Sequence, residues 1–275
     1  MLQRSLIAIA AVVMVLGGTA CAQLAVSPAT EAYTPEVGQP GKDVVWVPTP
    51  QALVDLMLDM ARLTPQDRLV DLGSGDGVTV ITAAKRGATA RGIEFNPDMV
   101  ALARQRAEAQ GVADRATFEQ ADIFETDFSQ ATVVTLFLLP SLNMRLRPIL
   151  FDMPPGTRIV SNSFNLGDWE ADETGALAES CPSFCRALMW VVPAKVAGTW
   201  EIDGRTLELS QSYQRLHGSL RDTMSMRALD EGRLEGARIR FSIGEDRYVG
   251  EVSGETMRGT VNGSRPWQAR RTTGS

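Results

Sequence analysis

The chain has 275 residues, of which 44% are hydrophobic, which is enough for one large α/β core and a second small unit. Its formal net charge is −6, and the sequence contains no concentrated basic run. Because contact with nucleic-acid phosphates needs a basic face, this composition argues against nucleic acid as a main partner.

Residues 1–22 have the pattern of an export signal. Arg4 precedes an unbroken apolar run over residues 6–16, which is too short to span a bilayer, and Ala20-Cys21-Ala22 fits a small-x-small cleavage site. We expect a mature chain that begins at Gln23 and retains no membrane span. An uncleaved anchor and a lipoprotein modified on Cys21 are the alternatives. All three place the remaining chain outside the cytoplasm, in the periplasm or at the envelope.

The next segment, residues 23–44, is predicted to be an extended arm because prolines recur there among small and polar residues. A domain over residues 45–195 follows. Its first helix is predicted to begin after Thr49, which can cap the helix, with Pro50 at the first helical position.

From residue 67 onward, short apolar runs alternate with helical stretches, which is typical of parallel strands joined by helices. Strands are predicted at 68–72, 89–94, 116–120, 132–138 and 157–161. Helices are predicted to start near Val78, Pro97 and Ser141, the last of them kinked or shortened by Pro148. The predicted fold is therefore α/β, a Rossmann-like doubly wound sheet.

Beyond residue 195 the apolar residues alternate with polar ones, as in Leu207 and Leu209, and glycines punctuate the segment. This pattern predicts a small antiparallel β domain over residues 196–265, as a meander or small barrel, and a tail over residues 266–275. Near the end of the first domain, Cys181 and Cys185 frame a short loop. An oxidising compartment favours a local disulfide there; a redox-active pair, a metal site and two free thiols are the alternatives.

The most informative segment is the run LVDLGSGDG over residues 69–77, in which an apolar strand leads into a glycine loop that opens a helix. Such a loop lets a ligand touch the main chain. Gly73, Gly75 and Gly77 form G-x-G-x-G, so the third glycine of the dinucleotide fingerprint is missing, and no lysine follows in the P-loop position. A tight turn without a ligand is the alternative interpretation.

The charge around this loop indicates the ligand. Asp71 and Asp76 flank the turn. A pyrophosphate would meet both carboxylates, and each like-charge contact costs about 4 kcal/mol at about 4 Å with an effective dielectric constant near 20. S-adenosylmethionine (SAM) has an ammonium and a sulfonium and no phosphate, so the same carboxylates attract it. The loop is therefore predicted to bind SAM, without any metal.

Two further acids follow the next two predicted strands. Glu94 lies 17 residues past Gly77, where a carboxylate accepts from both ribose hydroxyls, and Asp122 is placed to accept from the adenine amino group. The Ile123 amide and the Phe95 ring are expected to complete the adenine site, with Phe124 as a second apolar wall. Because the carboxyl ends of neighbouring strands form the ligand edge of such sheets, these acids are expected to meet.

These motifs resemble those of a known family. The runs DLGSGDG at 71–77, GIE at 92–94 and ADIF at 121–124 are similar to the cofactor motifs of class I SAM-dependent methyltransferases. The runs WVPTP at 46–50, LLPS at 138–141, LRP at 146–148 and RIVSN at 158–162 resemble a narrower group. That group contains the lysine methyltransferases of the ATP synthase c subunit and exported bacterial relatives, and the resemblance covers residues 45–195.

The resemblance implies that Asp71, Gly73 and Gly75 line the methionine end of SAM, and Ser74 and Gly77 of the same loop are also predicted to bind the cofactor. It also implies that Glu94 holds the ribose, that Asp122 and Ile123 hold the adenine, and that residues 47–50 fold over the cofactor. Two positions depart from the family pattern. Val78 stands where an arginine is common, and Ser163 stands where an acid is common, which leaves the catalytic base unassigned.

For the transfer itself, Ser141, Asn162 and Ser163 are the candidates to orient an acceptor, because they lie at or just after predicted strand ends; capping and turn formation are their alternative roles. The run FLLPS at 137–141 lacks the motif of methyltransferases that act on nucleic bases. The predicted function is methyl transfer to an unidentified acceptor, such as a protein lysine. The alternative is a non-catalytic nucleoside-binding or scaffold protein of the cell envelope with the same fold.

Overall fold

The computed structural model describes residues 33–177, 181 and 183–272. The predicted export signal and the first part of the predicted arm lie outside these residues. The helices are α1 (Gln51–Met60), α2 (Val78–Lys85), α3 (Pro97–Ala109) and α4 (Pro140–Phe151). No helix in the described part of the chain combines the length and apolar character needed to cross a membrane.

The first sheet has the strand order β3-β2-β1-β4-β5-β7-β6. Its strands are β1 (Arg68–Leu72), β2 (Thr89–Glu94), β3 (Ala116–Gln120), β4 (Val133–Leu136), β5 (Arg158–Asn162), β6 (Glu173–Ala176) and β7 (Arg186–Val191). β1 to β5 are parallel, and β7 runs antiparallel between β5 and β6. Since the order reverses beside β1, the carboxyl ends of β1 and its neighbours form a crevice there. This confirms the predicted Rossmann-like sheet.

The elements around β1 begin where the local sequence predicts. α2 and α3 start at Val78 and Pro97, and the Asn96 side chain caps α3 by accepting from the Asp98 amide at 2.9 Å. α4 begins one residue before the predicted position and runs through Pro148 to Phe151, so Pro148 does not end it. β6 and β7 complete the sheet but had not been predicted.

The C-terminal part is a closed antiparallel barrel. Its strands are β8 (Gly198–Ile202), β9 (Arg205–Ser212), β10 (Arg215–Arg221), β11 (Met226–Ala228), β12 (Asp230–Glu235), β13 (Arg238–Ile243), β14 (Asp246–Ser253), β15 (Thr256–Val261) and β16 (Arg265–Arg271). Closure comes from pairing of β9 with β10 and of β16 with β8. The interior is filled by buried apolar side chains such as Trp200, Phe241 and Tyr248.

The structure corrects the prediction that residues from 266 onward form a tail. Residues 265–271 form β16, which pairs with both β15 and β8 and therefore closes the barrel. Trp267 and Ala269 alternate into the barrel interior at 3% and 0% exposure. Their alternation with polar residues is a short strand signal that the neighbouring arginines and Pro266 obscure.

The α/β part and the barrel belong to one compact unit over residues 34–275, and a buried carboxylate joins them. The Asp172 side chain, which precedes β6 and is 12% exposed, pairs with Arg233 of β12 at 2.6 Å. It also accepts from the Val191 amide of β7 at 2.9 Å. Removing the barrel arginine would leave this carboxylate buried without its cation.

We therefore expect Arg233→Met to lower the free energy of unfolding by about 2 kcal/mol, since an unpaired buried charge is costly but this arginine is itself partly exposed. Arg215→Met is the matched control, because its ion pair with Glu170 is exposed on both sides. That variant should cost less than about 1 kcal/mol. Urea unfolding of the three proteins measures both values, and equal losses would contradict a structural role for Asp172.

Candidate functional site

The carboxyl ends of β1 to β4 and the arm segment 39–49 enclose one cleft, which we call the strand-edge cleft. From the α/β part it is lined by Met57, Asp71, Gly73, Ser74, Gly75, Asp76, Val78, Thr79, Glu94, Phe95, Asn96, Met99, Ala121, Asp122, Ile123, Leu136, Phe137, Leu138, Leu139, Leu142, Phe164 and Phe184. Every residue predicted to bind the cofactor is in this lining except Gly77. The residues predicted to bind the cofactor therefore converge at one edge of the sheet.

The glycine loop connects β1 to α2 through backbone conformations that favour glycine. Gly73, Gly75 and Gly77 have φ values of 78°, 51° and 82°, in the left-handed region. A Cβ atom on Gly77 would lie 2.8 Å from the Phe118 ring, and one on Gly75 would lie 2.7 Å from Nε1 of Trp46 in the arm. Gly77 thus allows close packing behind the loop, whereas Gly75 faces the cleft.

Asp71 lies at the floor of the cleft and is 7% exposed. Its Oδ1 accepts a hydrogen bond of 2.6 Å from Oγ1 of Thr135 on the neighbouring strand β4. Burial raises the pKa of the Asp71 carboxyl to about 7, the Thr135 hydrogen bond opposes this rise, and the charges of Glu94 and Asp76 add to it. A positively charged ligand in the cleft would favour the ionised carboxylate.

Glu94 ends β2 beside the glycine loop. One carboxylate oxygen accepts from the Gly75 amide at 2.9 Å, and the other accepts from the Asn96 amide at 2.9 Å. Two main-chain donors therefore fix the side chain in one orientation, and each oxygen keeps lone pairs for further donors. This arrangement suits a carboxylate that receives ribose hydroxyls.

Asp122 follows β3 at the far end of the cleft. One carboxylate oxygen accepts from the Phe124 amide at 2.9 Å, and the other pairs with Lys42 of the arm. The hydrogen bond from Lys42 holds the pKa of Asp122 below its usual value. The Lys42 ammonium also lies 4.7 Å from the centre of the Phe95 ring, so the arm covers the position expected for the adenine.

The arm is fixed above the loop by its own hydrogen bonds. The Gly38 amide donates to the Trp46 carbonyl at 2.8 Å, and the Trp46 amide donates to the Gln39 carbonyl at 3.0 Å. This local closure places the Trp46 ring against Gly75. Phe124, expected to be an apolar wall, instead packs 3.7 Å from the Arg145 guanidinium and does not line the cleft.

Comparisons with known proteins agree with this geometry. The family model for the ANTKMT methyltransferase domain matches residues 71–173. A protein-lysine N-methyltransferase of Saccharolobus islandicus is 42% identical over 133 residues, which cover 47% of this chain and 83% of that relative. The human lysine N-methyltransferase of the ATP synthase c subunit is 35% identical over 158 residues, covering 57% of this chain and 66% of the relative.

The chain belongs to the ANTKMT family of SAM-dependent methyltransferases. A crystal structure of an RNA methyltransferase from Salinibacter ruber in complex with S-adenosyl-L-homocysteine is 48% identical to it, with a TM-score of 0.51. That alignment covers 55% of this chain and 96% of the other. SAM is therefore the cofactor of this methyltransferase, as the acidic cleft predicts. The family match ends before the barrel.

The three residues predicted to orient the acceptor do not line the cleft of this methyltransferase. Ser141 is exposed near the start of α4. Asn162 is fully buried, and its amide lies 3.4 Å from Oγ1 of Thr49, which itself lines the cleft. Ser163 has a φ of 62° and donates to Oδ1 of Asn162 at 2.9 Å. Asn162 thus bonds to a residue of the cleft lining, and Ser163 bonds to Asn162.

Several residues that shape the methyltransferase cleft were not predicted to do so. Lys42 and Trp46 come from the arm, and Thr135 comes from the centre of β4. Thr135 could have been recognised from the sequence, because it is the one polar residue in β4. Phe137, Phe164 and Phe184 form the remaining wall and left no comparable signal.

The raised pKa of Asp71 predicts opposite pH dependences for stability and binding. The unfolded chain ionises near 3.8 and the folded chain near 7, so the unfolded state releases its proton first. The contribution of Asp71 to stability should fall as the pH rises between about 4 and about 7. SAM affinity should rise over the approach to pH 7, by up to about tenfold per pH unit, because a cation favours ionised Asp71. Asp71→Asn should remove both pH dependences. Calorimetric unfolding measures the first and calorimetric titration with SAM measures the second. An unchanged pH profile of stability in Asp71→Asn would contradict the raised pKa of Asp71.

The loop geometry predicts that Gly75→Ala abolishes measurable SAM binding while the protein stays folded, because the methyl group would occupy cleft space against Trp46. Gly111→Ala is the matched control. Gly111 also has a positive φ, 68°, but a Cβ atom there meets nothing within 4 Å. Both variants carry the backbone strain, so only the first should lose SAM binding in calorimetric titration. Equal binding by the two variants would show that the loop does not contact the cofactor.

Proposed function

We propose that this methyltransferase acts on a lysine side chain of another protein, and that it does so outside the cytoplasm. The observation that supports a cationic acceptor is the charge of the cleft. Asp71, Asp76, Glu94 and Asp122 line it, and among the described lining residues Lys42 is the single basic side chain, already paired with Asp122. The field of such an acidic cleft attracts a lysine side chain, whereas it repels a phosphate backbone.

The names of the relatives point to two classes of methyl acceptor, protein and RNA. The Saccharolobus relative is named for protein lysine, and the Salinibacter structure is titled an RNA methyltransferase. A net charge of −6 and an acidic cleft favour the protein acceptor here, because RNA binding depends on a basic surface. Methylation of RNA is one of the outcomes that the experiment below distinguishes.

In the proposed reaction, SAM supplies an electrophilic methyl group on its sulfonium. The chain's own residues hold the reactants. Glu94 and Asp122 fix the ribose and adenine ends, and the glycine loop with Asp71 fixes the amino-acid end. No residue of the cleft needs to form a covalent bond, since in-line positioning of an uncharged amine is sufficient for transfer.

The proposed location outside the cytoplasm rests on the N-terminal sequence pattern and on one disulfide bond. Residues 1–22 have the features of an export signal. Cys181 and Cys185 form a disulfide with a Cα–Cα distance of 5.8 Å. Structural disulfides persist in oxidising compartments, so this bond supports a site of action in the periplasm or at the envelope.

Incubation with methyl-labelled SAM and fractionated envelope protein, cytoplasmic protein and RNA tests the acceptor. We expect label on a lysine of an envelope protein, identified by mass spectrometry, and at least a hundredfold loss with Asp71→Asn, which removes the charge that attracts the cofactor. Asp114→Asn, at an exposed site, is the matched control and should label normally. Label in RNA, or in no lysine, would refute the proposed acceptor.

A separate measurement tests the location. A C-terminally tagged chain should appear in the periplasmic or envelope fraction, and its amino terminus should begin at Gln23 if cleavage occurs as predicted. Recovery of the full chain from the cytoplasmic fraction alone would overturn the proposed export.

A further inference from the structure

Three phenylalanine rings form the wall of the strand-edge cleft opposite its acids. Phe137 follows β4, Phe164 follows β5 and Phe184 precedes β7. We call Phe137, Phe164 and Phe184 the aromatic wall. We propose that the aromatic wall binds the acceptor nitrogen as it becomes an ammonium, and that Phe184 sets the preference for a cationic product. This inference rests on the lysine acceptor proposed above.

The topology divides the cleft into two halves. Glu94 and Asp122 follow β2 and β3, on one side of β1, whereas the aromatic wall comes from β4, β5 and β7 on the other side. The glycine loop lies between them. A cofactor whose adenosine lies over β2 and β3 therefore directs its methyl end toward the aromatic half, where an acceptor must approach.

The spacing of the rings brings three aromatic side chains together around one point. The Phe137 centroid lies 6.2 Å from that of Phe164 and 5.2 Å from that of Phe184, and the last two are 5.8 Å apart. Phe137 and Phe164 are stacked with an angle of 20° between their planes, whereas the Phe184 plane is turned by 63° from Phe137 and by 51° from Phe164. A nitrogen above this triangle lies within about 6 Å of every ring centroid, which is the range of cation–π attraction.

Phe184 is the exposed member and is held there by local constraints. Its side chain is 38% exposed, while Phe137 and Phe164 are half-buried. Its φ of 55° lies in the left-handed region, which is unusual for an aromatic residue. The Cys181–Cys185 disulfide closes the chain around it. An exposed ring in a strained and cross-linked loop is consistent with a binding role rather than a packing role.

During methyl transfer, the aromatic wall can stabilise the positive charge that develops on the acceptor nitrogen. The uncharged lysine amine, having lost its proton to solvent, donates its electron pair to the methyl carbon, and a nitrogen–carbon bond forms. The carbon–sulfur bond breaks, and its electron pair stays on sulfur as the thioether. Positive charge therefore moves from sulfur to nitrogen, and ring faces stabilise the charge that develops there. Loss of a proton from the methylated ammonium to solvent completes the turnover.

A binding experiment tests the wall without requiring turnover. The probes are choline and dimethylbutanol, which has the same shape but a carbon atom in place of the nitrogen. The full chain is first saturated with S-adenosyl-L-homocysteine to occupy the acidic half. We expect choline to bind about tenfold more tightly than the alcohol, as measured by NMR titration. This difference should disappear in Phe184→Leu and remain in Phe184→Tyr.

Kinetics on the labelled lysine acceptor give the second readout. Phe184→Leu should lower kcat/KM about 3- to 30-fold while SAM affinity changes less than twofold, and Phe184→Tyr should restore the rate. Met224→Ala, at a 93% exposed barrel position, is the control. A joint Cys181→Ser and Cys185→Ser variant should weaken choline binding while calorimetric unfolding stays cooperative.

Several outcomes would overturn the inference. Equal binding of choline and dimethylbutanol would show that the wall is only an apolar surface. Full activity of Phe184→Leu on a lysine acceptor would leave the proposed function intact and remove the role of Phe184. If the unmodified protein labels no lysine, the proposed function fails, and choline binding alone then decides whether the wall recognises cations.

Discussion

The site depends on one buried carboxylate that has no cation of its own. Around the cleft, Asp76 pairs with Arg106, Asp122 pairs with Lys42, and Glu94 is held by two main-chain amides. Asp71 is held by the Thr135 hydroxyl at the floor of the same cleft, and burial raises its pKa to about 7. A buried acid in that position favours a positively charged ligand over a phosphate. The glycine loop and the neighbouring acids lie around Asp71 at the same edge of the sheet.

The parts of the fold that the sequence predicted well are those with strong local signals. β1, β2 and β3 have the predicted bounds because each carries buried apolar residues within a short segment. These residues are Leu69, Val70 and Leu72 in β1, Ala90 and Ile93 in β2, and Ala116 and Phe118 in β3. β6 is short and largely exposed, so it carries neither an apolar run nor a regular alternation. β16 was mistaken for a tail because two inward side chains are a weak pattern in a strand rich in arginine. Pairing with β8, which lies far away in sequence, decides its state.

The cofactor half of the site was predictable because its acids directly follow strand ends, and strand ends converge at one edge. The acceptor half of the site was not predictable in this way. Ser141, Asn162 and Ser163 were chosen by the same rule, but position on a strand does not show where a side chain goes. Asn162 bonds to Thr49 across 113 residues of chain, and Lys42 reaches Asp122 across 80. Such contacts depend on tertiary packing, which a single sequence does not display.

If the acceptor is a lysine, as proposed, the two halves of the cleft match the different electrostatic needs of the two reactants. The cofactor keeps its ammonium throughout, so fixed carboxylates suit it. The acceptor must be uncharged to react and becomes charged only as it does so. A carboxylate beside a lysine amine would raise the pKa of that amine and keep it protonated. Aromatic faces attract the developing cation more weakly, and their apolar surroundings favour the uncharged amine beforehand. Serine in place of an acid at position 163 is therefore compatible with transfer to an amine.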